Sequence, residues 1–226
     1  MKKLKCPLCG ADIDVQNDMR CSRFPICTFQ ETTSNVDLDK FIMYDLETSG
    51  LSVEKDHIIE IGAIYVENGC VKDSFGKLCN PGIYINQRIT QITGISNQDL
   101  HNKETEEEVV KQFVEWVQEK NTKLAVGHNI SRFDNRVIKT ATRRYKTQYP
   151  FTHSLDTLKL AKELKLQERG ITENYKQETL ANQYCQFEYE AHRAVDDVNA
   201  LFKIYKRLRD DAQKMNVPLP VTNINL

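Results

Sequence analysis

Two carboxylates at the end of a short apolar run constrain this chain more than any other feature. Residues 41–46 are apolar enough for a buried strand, and Asp45-Leu46-Glu47 ends that run. Side chains two apart in a strand point to the same face, so Asp45 and Glu47 would converge. Buried carboxylates repel one another unless a cation lies between them, and oxygen ligands suit Mg²⁺ or Mn²⁺. Taken alone, Asp-x-Glu is common, and the ordinary interpretation is a solvated strand end.

The order of apolar patterns predicts the fold class. Apolar runs predict strands at 41–46, 57–66, 71–79 and 123–127, with the second and third joined as a hairpin near Asn68-Gly69. Helical spacing predicts helices at 105–120, 131–145, 155–164, 175–184 and 194–209, with Ser131 as the N-cap of the second. Strands come first and helices then alternate with them. This order predicts an α/β fold with a mixed sheet flanked by helices.

Two further polar groups stand at predicted strand ends or helix starts. Residues 127–134 read GHNISRFD, which would place Asp134 in the first turn of a helix. The helix dipole alone would also favour an acid there. His192 precedes the last helix and Asp197 lies early within it. A mobile His beside a fixed Asp suits a general base and a metal ligand, although a lone His before a helix is usually a surface residue.

The three groups together resemble the DEDDh family of 3′→5′ exonucleases, which includes the proofreading subunit of bacterial DNA polymerase III and RNase T. The order is Asp-x-Glu, then His-Asn and Asp, then His-x4-Asp. The resemblance covers residues 41 to about 210 and includes the segments 45–51, 59–63, 92–95 and 155–158. The spacing between His-Asn and Phe-Asp is one residue longer than in many members. It resembles the spacing of the autonomous repair and degradation exonucleases of that family.

This resemblance implies an RNase H-like fold and a two-metal mechanism with Mg²⁺ or Mn²⁺. Two ions would stabilise the attacking and leaving oxygens during hydrolysis of a terminal phosphodiester to a nucleoside 5′-monophosphate. His192 would be the general base. The implied ligands of the two ions are Asp45, Glu47, Asp134 and Asp197, and the implied substrate-contacting residues are Thr48, Leu51, His128 and Asn129.

Four cysteines near the N-terminus predict a separate metal module. Their spacing is C-x2-C-x11-C-x5-C, and the residues are Cys6, Cys9, Cys21 and Cys27. Tetrahedral thiolate coordination of zinc uses such pairs. The sequence resembles the zinc ribbons of bacterial topoisomerase I, which implies one structural Zn²⁺ and single-stranded DNA bound through stacking on Phe24. A ribbon that only folds, or that binds protein, is the alternative. The predicted domains are 1–30 (zinc ribbon), 31–40 (linker) and 41–226 (exonuclease).

Composition adds little about the partner. The formal net charge is −1, so nucleic-acid binding would need a local basic patch. Five basic residues follow Asp134 and would form either such a patch or only a solvated helix face: Arg136, Lys139, Arg143, Arg144 and Lys146. No run approaches the roughly 20 apolar residues of a membrane span, and a cytoplasmic enzyme without membrane contact is expected. The other thiols, Cys70, Cys79 and Cys185, are interpreted as core or incidental residues.

Three functions remain open at this stage. The favoured one is a DNA exonuclease in repair or end-trimming, with a polymerase or repair complex as a candidate partner. The second is an exoribonuclease on the same fold, since metal chemistry does not depend on the 2′-OH. The third is a non-catalytic nucleic-acid-binding module.

Overall fold

The computed structural model describes residues 11, 13–14, 20–21, 36–189, 191 and 193–224. The chain divides into two compact units, Met1–Val36 and Asp37–Leu226. In the first unit, β1 (Ile13–Asp14) and β2 (Arg20–Cys21) pair antiparallel. The predicted zinc site lies outside the described residues: Cys6, Cys9 and Cys27, the side chain of Cys21, and the predicted stacking residue Phe24.

A six-stranded mixed sheet forms the centre of the second unit and confirms the predicted fold class. The strand order is β5-β4-β3-β6-β7-β8. Strand β6 runs parallel to both β3 and β7, whereas the other pairs are antiparallel. The predicted hairpin turns at Asn68 and Gly69, which both have positive φ, as a type I′ turn requires. The strands are β3 (Lys40–Thr48), β4 (Ile58–Glu67), β5 (Cys70–Leu78), β6 (Leu124–Gly127), β7 (His153–Asp156) and β8 (Val221–Asn223).

Seven α-helices accompany this sheet among the described residues. In chain order they are α1 (Gln87–Thr93), α2 (Asn97–Leu100), α3 (Glu106–Glu119), α4 (Asp134–Arg144), α5 (Thr157–Glu163), α6 (Gln177–Thr179) and α7 (Ala194–Met215). Helix α6 continues into a π-helical segment, Leu180–Tyr184. Within the described part of the chain, no helix is long and apolar enough to cross a membrane.

Two of the predicted helices are present but begin at later residues than predicted. The predicted helix at 155–164 begins as strand β7, because His153–Asp156 is buried and pairs in parallel with β6, a contact that no local pattern reveals. Ser131 is not an N-cap, because α4 begins three residues later at Asp134. The backbone N–H of Ser131 instead donates to a carboxylate oxygen of Asp156, at 3.3 Å.

The two faces of β3 have different neighbours. On one face, Tyr44 stacks on Phe151 with ring centroids 5.5 Å apart and also contacts Phe113 of α3. On the other face, Phe41 meets Tyr205 of α7 edge-on at 5.3 Å. Alternation along a strand therefore points the odd-numbered side chains of β3, including those at its acidic end, toward the α7 side of the sheet.

A buried ionic cluster joins α3, α4 and the start of β4. Glu106, at the first position of α3, is almost fully buried. Its carboxylate accepts hydrogen bonds from the backbone of Ile58 at 2.9 Å, from Arg144 at 3.1 Å and from the Tyr145 hydroxyl, and it also contacts the His57 ring. Arg144 therefore stabilises the packing of the domain, and its guanidinium is not one of the basic groups left to bind phosphate.

Replacing Arg144 with Met should lower the free energy of unfolding by about 3 kcal/mol, because a buried carboxylate loses its charged partner. The neighbouring Arg143→Met is the matched control. Arg143 is exposed and its nearest carboxylate, that of Glu54, is 3.8 Å away, so its loss should cost less than about 1 kcal/mol. Urea denaturation of both variants measures the difference. Equal losses would contradict a structural role specific to Arg144.

Candidate active site

Three carboxylates converge where β3 ends beneath the first turns of α7. Oxygen atoms of Asp45, Glu47 and Asp197 all lie within 4.8 Å of one another. Asp45 and Glu47 share one face of β3, and Asp197 lies in the first turn of α7. The set consists only of hard oxygen donors, which is the chemistry that Mg²⁺ and Mn²⁺ prefer.

Hydrogen bonds from two other side chains hold Asp197 in place. The Tyr189 hydroxyl donates to Asp197 Oδ1 at 2.9 Å. Gln177 Nε2 lies 2.9 Å from the backbone carbonyl of Asp197 and 3.3 Å from Oδ1. Gln177 Nε2 also donates to Tyr189 at 3.0 Å. The segment before the π-helical turn is therefore tied directly to the third carboxylate.

An ionic contact with Glu60 of β4 holds the start of α7 against the sheet. The buried carboxylate of Glu60 accepts from Arg193 at 3.1 Å and from the backbone N–H of Ala194 at 3.0 Å. Glycine is required beneath this contact, since a Cβ at Gly62 would lie 2.3 Å from the backbone carbon of Ala194. This close approach of helix and strand brings Asp197 down to the carboxylates of β3.

Asp134 lies beside Asp45 but outside the group of three. It is buried at the first position of α4, where the backbone groups of Asp134 itself and of Leu46 lower the pKa of its carboxyl against the larger effect of burial. Among the neighbouring charges, that of Asp134 has the largest effect on Asp45. The structure thus places the fourth predicted acid close enough to interact with the site.

The carboxylates are electrostatically strained as a group. Burial, followed by repulsion from Asp134, Asp197 and Glu47, raises the pKa of Asp45 well above its usual range. Burial and the charges of Asp197 and Glu60 raise the pKa of Glu47 to about 8. Burial raises the pKa of Asp134 to about 7 despite its backbone hydrogen bonds. Such a group is stable in its ionised form only with a cation among the oxygens, so the residues fit a divalent ion.

The other predicted site residues have different environments. His192 lies outside the described residues. Leu51 is 86% exposed on the loop after β3, whereas the Thr48 hydroxyl is buried and donates to the Gly50 carbonyl at 2.6 Å. His128 lines the pocket at the carboxylates. Asn129 has a positive φ, and its backbone N–H donates to Asp156 at 2.9 Å.

Several supporting residues were not found from the sequence. Asp156 is buried and holds the loop between β6 and α4 through the backbone N–H groups of Asn129 and Ser131, while capping α5 through that of Leu158. An Asp-Thr pair at the end of an apolar segment is the signal that could have indicated this N-cap. Gln177 and Tyr189 had no such signal, because their contacts with Asp197 depend on how distant segments pack.

Comparison with known proteins identifies the family. A family model described as exonuclease, RNase_T, matches residues 42–205. This chain belongs to that exonuclease family. The predicted enzyme class, a 3′→5′ exonuclease that hydrolyses phosphodiesters, is confirmed at the level of the family.

Polymerase subunits are among the relatives of this exonuclease. The DNA polymerase III subunit epsilon of Aquifex aeolicus is 32% identical over 176 residues, which span 76% of this chain and 81% of that subunit. The DNA polymerase III PolC-type of Caldanaerobacter subterraneus subsp. tengcongensis is 33% identical over 186 residues. That alignment spans 82% of this chain but only 13% of the polymerase. The similarity to PolC is therefore confined to a small part of the polymerase.

Solved structures share the fold. The E. coli exonuclease I–single-stranded DNA complex matches with a TM-score of 0.66 and 22% identity, over 79% of this chain and 43% of that one. Exonuclease X in complex with 5′ overhanging duplex DNA matches with a TM-score of 0.59 and 22% identity, over 76% and 93% of the respective chains. These matches confirm the predicted RNase H-like architecture of the second unit.

Metal-free protein should lose thermal stability as pH rises. Glu47 has an ordinary pKa of 4.5 that rises to about 8 in the fold, so the folded state binds more protons than the unfolded state between those values. The free energy of unfolding therefore falls across that window as pH increases. At pH 8, Mg²⁺ at about 100 times its Kd should raise Tm by roughly 5–10 °C.

The matched control for this measurement is Glu47→Gln, which removes the titrating charge while keeping the side-chain size. Its Tm, measured by differential scanning calorimetry in chelator, should decline less between pH 5 and about pH 8, and Mg²⁺ should raise it less. A wild-type Tm that does not respond to Mg²⁺ or Mn²⁺ at pH 8 would argue against a divalent site at these carboxylates.

Proposed function

We propose that this chain is a divalent-metal-dependent 3′→5′ exonuclease that removes nucleoside 5′-monophosphates from DNA ends. The observation that carries the proposal is the convergence of Asp45, Glu47 and Asp197 in a domain of the exonuclease family. The preference for DNA is supported by the names of the relatives, which are subunits of DNA polymerases and exonucleases in complex with DNA. Association with a polymerase is proposed on the same ground, because the relatives include DNA polymerase III proteins.

Each acidic residue has a distinct task in this proposal. Asp45, Glu47 and Asp197 would hold divalent ions through their carboxylate oxygens, and Asp134 would support a second ion from its position beside Asp45. When bound, such ions neutralise the phosphodiester and stabilise the attacking and leaving oxygens. Tyr189 and Gln177 keep Asp197 oriented, since both hydrogen-bond to it.

The general base in the proposal is His192. Its unperturbed pKa near 6.5 lets an imidazole accept a proton near neutral pH. The imidazole takes a proton from the attacking water, the water oxygen forms a bond to phosphorus, and the bond from phosphorus to the 3′-oxygen breaks. The 3′-oxygen takes up a proton and remains on the shortened strand as a hydroxyl. His192 lies directly before Arg193, which Glu60 anchors to β4.

An oligonucleotide panel tests this function. Wild-type protein with Mg²⁺ should release 5′-monophosphates from the 3′ end of single-stranded DNA faster than from RNA of the same sequence. Strands labelled at the 5′ end should give a ladder, followed on denaturing gels. Asp45→Asn should reduce release by more than about 10³-fold, as expected for loss of metal-ion chemistry.

The results of this panel distinguish the candidate functions. Faster loss of RNA would favour an exoribonuclease on the same fold and overturn the DNA assignment. Equal release by wild type and Asp45→Asn would remove the catalytic role of these carboxylates. Blunt and mismatched duplexes, included in the same panel, separate end-trimming from a proofreading preference for frayed 3′ ends.

We further propose that the N-terminal cysteines bind one structural Zn²⁺ in a ribbon that holds single-stranded DNA. The support is the spacing C-x2-C-x11-C-x5-C and the stacking capacity of Phe24. With this ribbon assigned to residues 1–30 and a linker to 31–40, the exonuclease domain would begin at residue 41.

Elemental analysis of the purified chain should find about one zinc per molecule, and Cys9→Ser should lower that ratio substantially. The same variant should raise KM for long single strands while leaving hydrolysis of a dinucleotide unchanged, because only a long strand reaches a separate binding module. The analogous Cys70→Ser is the control, since Cys70 is exposed on β5. A wild-type chain without zinc would end this proposal.

A further inference from the structure

The pocket at the carboxylates has an unbalanced lining. Its volume is about 410 Å³, and four acids line it: Asp45, Glu47, Glu178 and Asp197. Among the described lining residues, Lys176 supplies the one permanent positive charge. Divalent ions held by Asp45, Glu47 and Asp197 would offset those three charges, but Glu178 lies outside that group, and a nucleic-acid strand adds one phosphate per nucleotide.

The imidazole of His128 does not correct this imbalance. Its Nδ1 lies 2.9 Å from the Thr157 hydroxyl, and its Nε2 donates to the backbone carbonyl of Tyr175 at 2.9 Å. Both ring nitrogens therefore have protein partners. His128 instead fixes the backbone immediately before Lys176.

The residue immediately after Lys176 is held as well, through its side chain. Gln177 Nε2 donates to the backbone carbonyl of Asp197 at 2.9 Å and to the Tyr189 hydroxyl at 3.0 Å. Lys176 thus stands between two residues that are each tied to an element of the acidic site. The backbone N–H of Lys176 itself donates to Asn174 at 2.8 Å. This bracing places the root of the lysine at the pocket.

The side chain of Lys176 is nevertheless uncommitted. It is exposed, and it forms no ion pair within 4 Å with any described residue. Other lysines in this part of the fold differ: Lys162 lies 5.8 Å from the ring of Tyr175, and Lys203 lies 5.0 Å from that of Phe187. A lysine whose backbone is held at the pocket and whose ammonium has no ion-pair partner among the described residues can reach an anion that enters the pocket.

We propose that the Lys176 ammonium binds a non-bridging phosphate oxygen of the substrate strand in this pocket. The inference rests on the proposed function and adds a substrate-binding residue to it. Lysine suits the task, since its ammonium is a compact point charge on a flexible stem and can follow the strand as it advances. A contact made equally before and during the reaction affects binding more than the chemical step.

Kinetics of Lys176→Met provide the first test. With single-stranded DNA and saturating Mg²⁺, KM should rise roughly tenfold, as expected for loss of one charge-assisted hydrogen bond, with kcat within about twofold of wild type. The slope of log(kcat/KM) against log[salt] should become shallower by about 0.7, the value for one phosphate contact on a single strand. Lys176→Arg should retain most of the affinity and the wild-type slope.

The matched control is Lys72→Met on β5. Lys72 is exposed near the hairpin turn, at the opposite end of the β4–β5 pair from Glu60, and it should leave KM and the salt slope unchanged. Unchanged KM and salt slope in Lys176→Met would overturn the proposal, as would an equal effect of Lys72→Met. A kcat loss without a KM change would also overturn it, because the contact would then not be a binding contact.

A binding measurement separates this inference from the proposed function. Fluorescence anisotropy of a labelled single strand, with Asp45→Asn as the background, needs no hydrolysis. Adding Lys176→Met should weaken Kd roughly tenfold there as well. If wild type releases no nucleotide but this loss of affinity persists, the proposed function fails and the phosphate contact stands. If hydrolysis proceeds but the added variant leaves Kd unchanged, only the role of Lys176 fails.

Discussion

Repulsion between carboxylates is the constraint on which this domain depends. Asp45 and Glu47 are forced onto one face of β3 by strand geometry, and α7 adds Asp197 to them within 4.8 Å. Without a cation, burial and mutual repulsion raise the pKa of each β3 carboxyl, so ionising these carboxyls in the folded state costs stability. The electrostatics of the site therefore favour a bound divalent ion.

The surrounding scaffold supplies the contacts that keep the acids together. Glu60 seats the start of α7 through Arg193 and a backbone N–H, and Gly62 permits the close approach. The segment that contains Gln177 restrains Asp197 through a hydrogen bond to its backbone carbonyl. Each restraint comes from a different element, so the position of the third carboxylate depends on the packing of the whole α7 side of the sheet. The same bracing fixes the root of Lys176 at the pocket.

Charged residues in this domain divide into two groups that the sequence does not separate. Arg144 belongs to a helix whose basic residues could all be read as a phosphate-binding face, yet its guanidinium is committed to buried Glu106. Lys176 gave no motif signal, yet it lines the acidic pocket with its charge unpaired among the described residues. Burial and partners, which are properties of the fold, decide whether a cation serves stability or is left for a ligand.

The sequence by itself determined the mixed sheet, the hairpin at Asn68-Gly69 and the order of the acidic motifs. These follow from alternation along a strand, helical spacing and turn preferences, which are local properties of the chain. Only the tertiary structure decided that residues 153–156 form a strand, that α4 begins at Asp134 and that Asp156 holds the loop before it. It also decided which residues orient Asp197. The physical reason is that these features depend on hydrogen bonds between segments far apart in the chain, as between Glu60 and Arg193, and such pairings leave no periodic signal in the sequence.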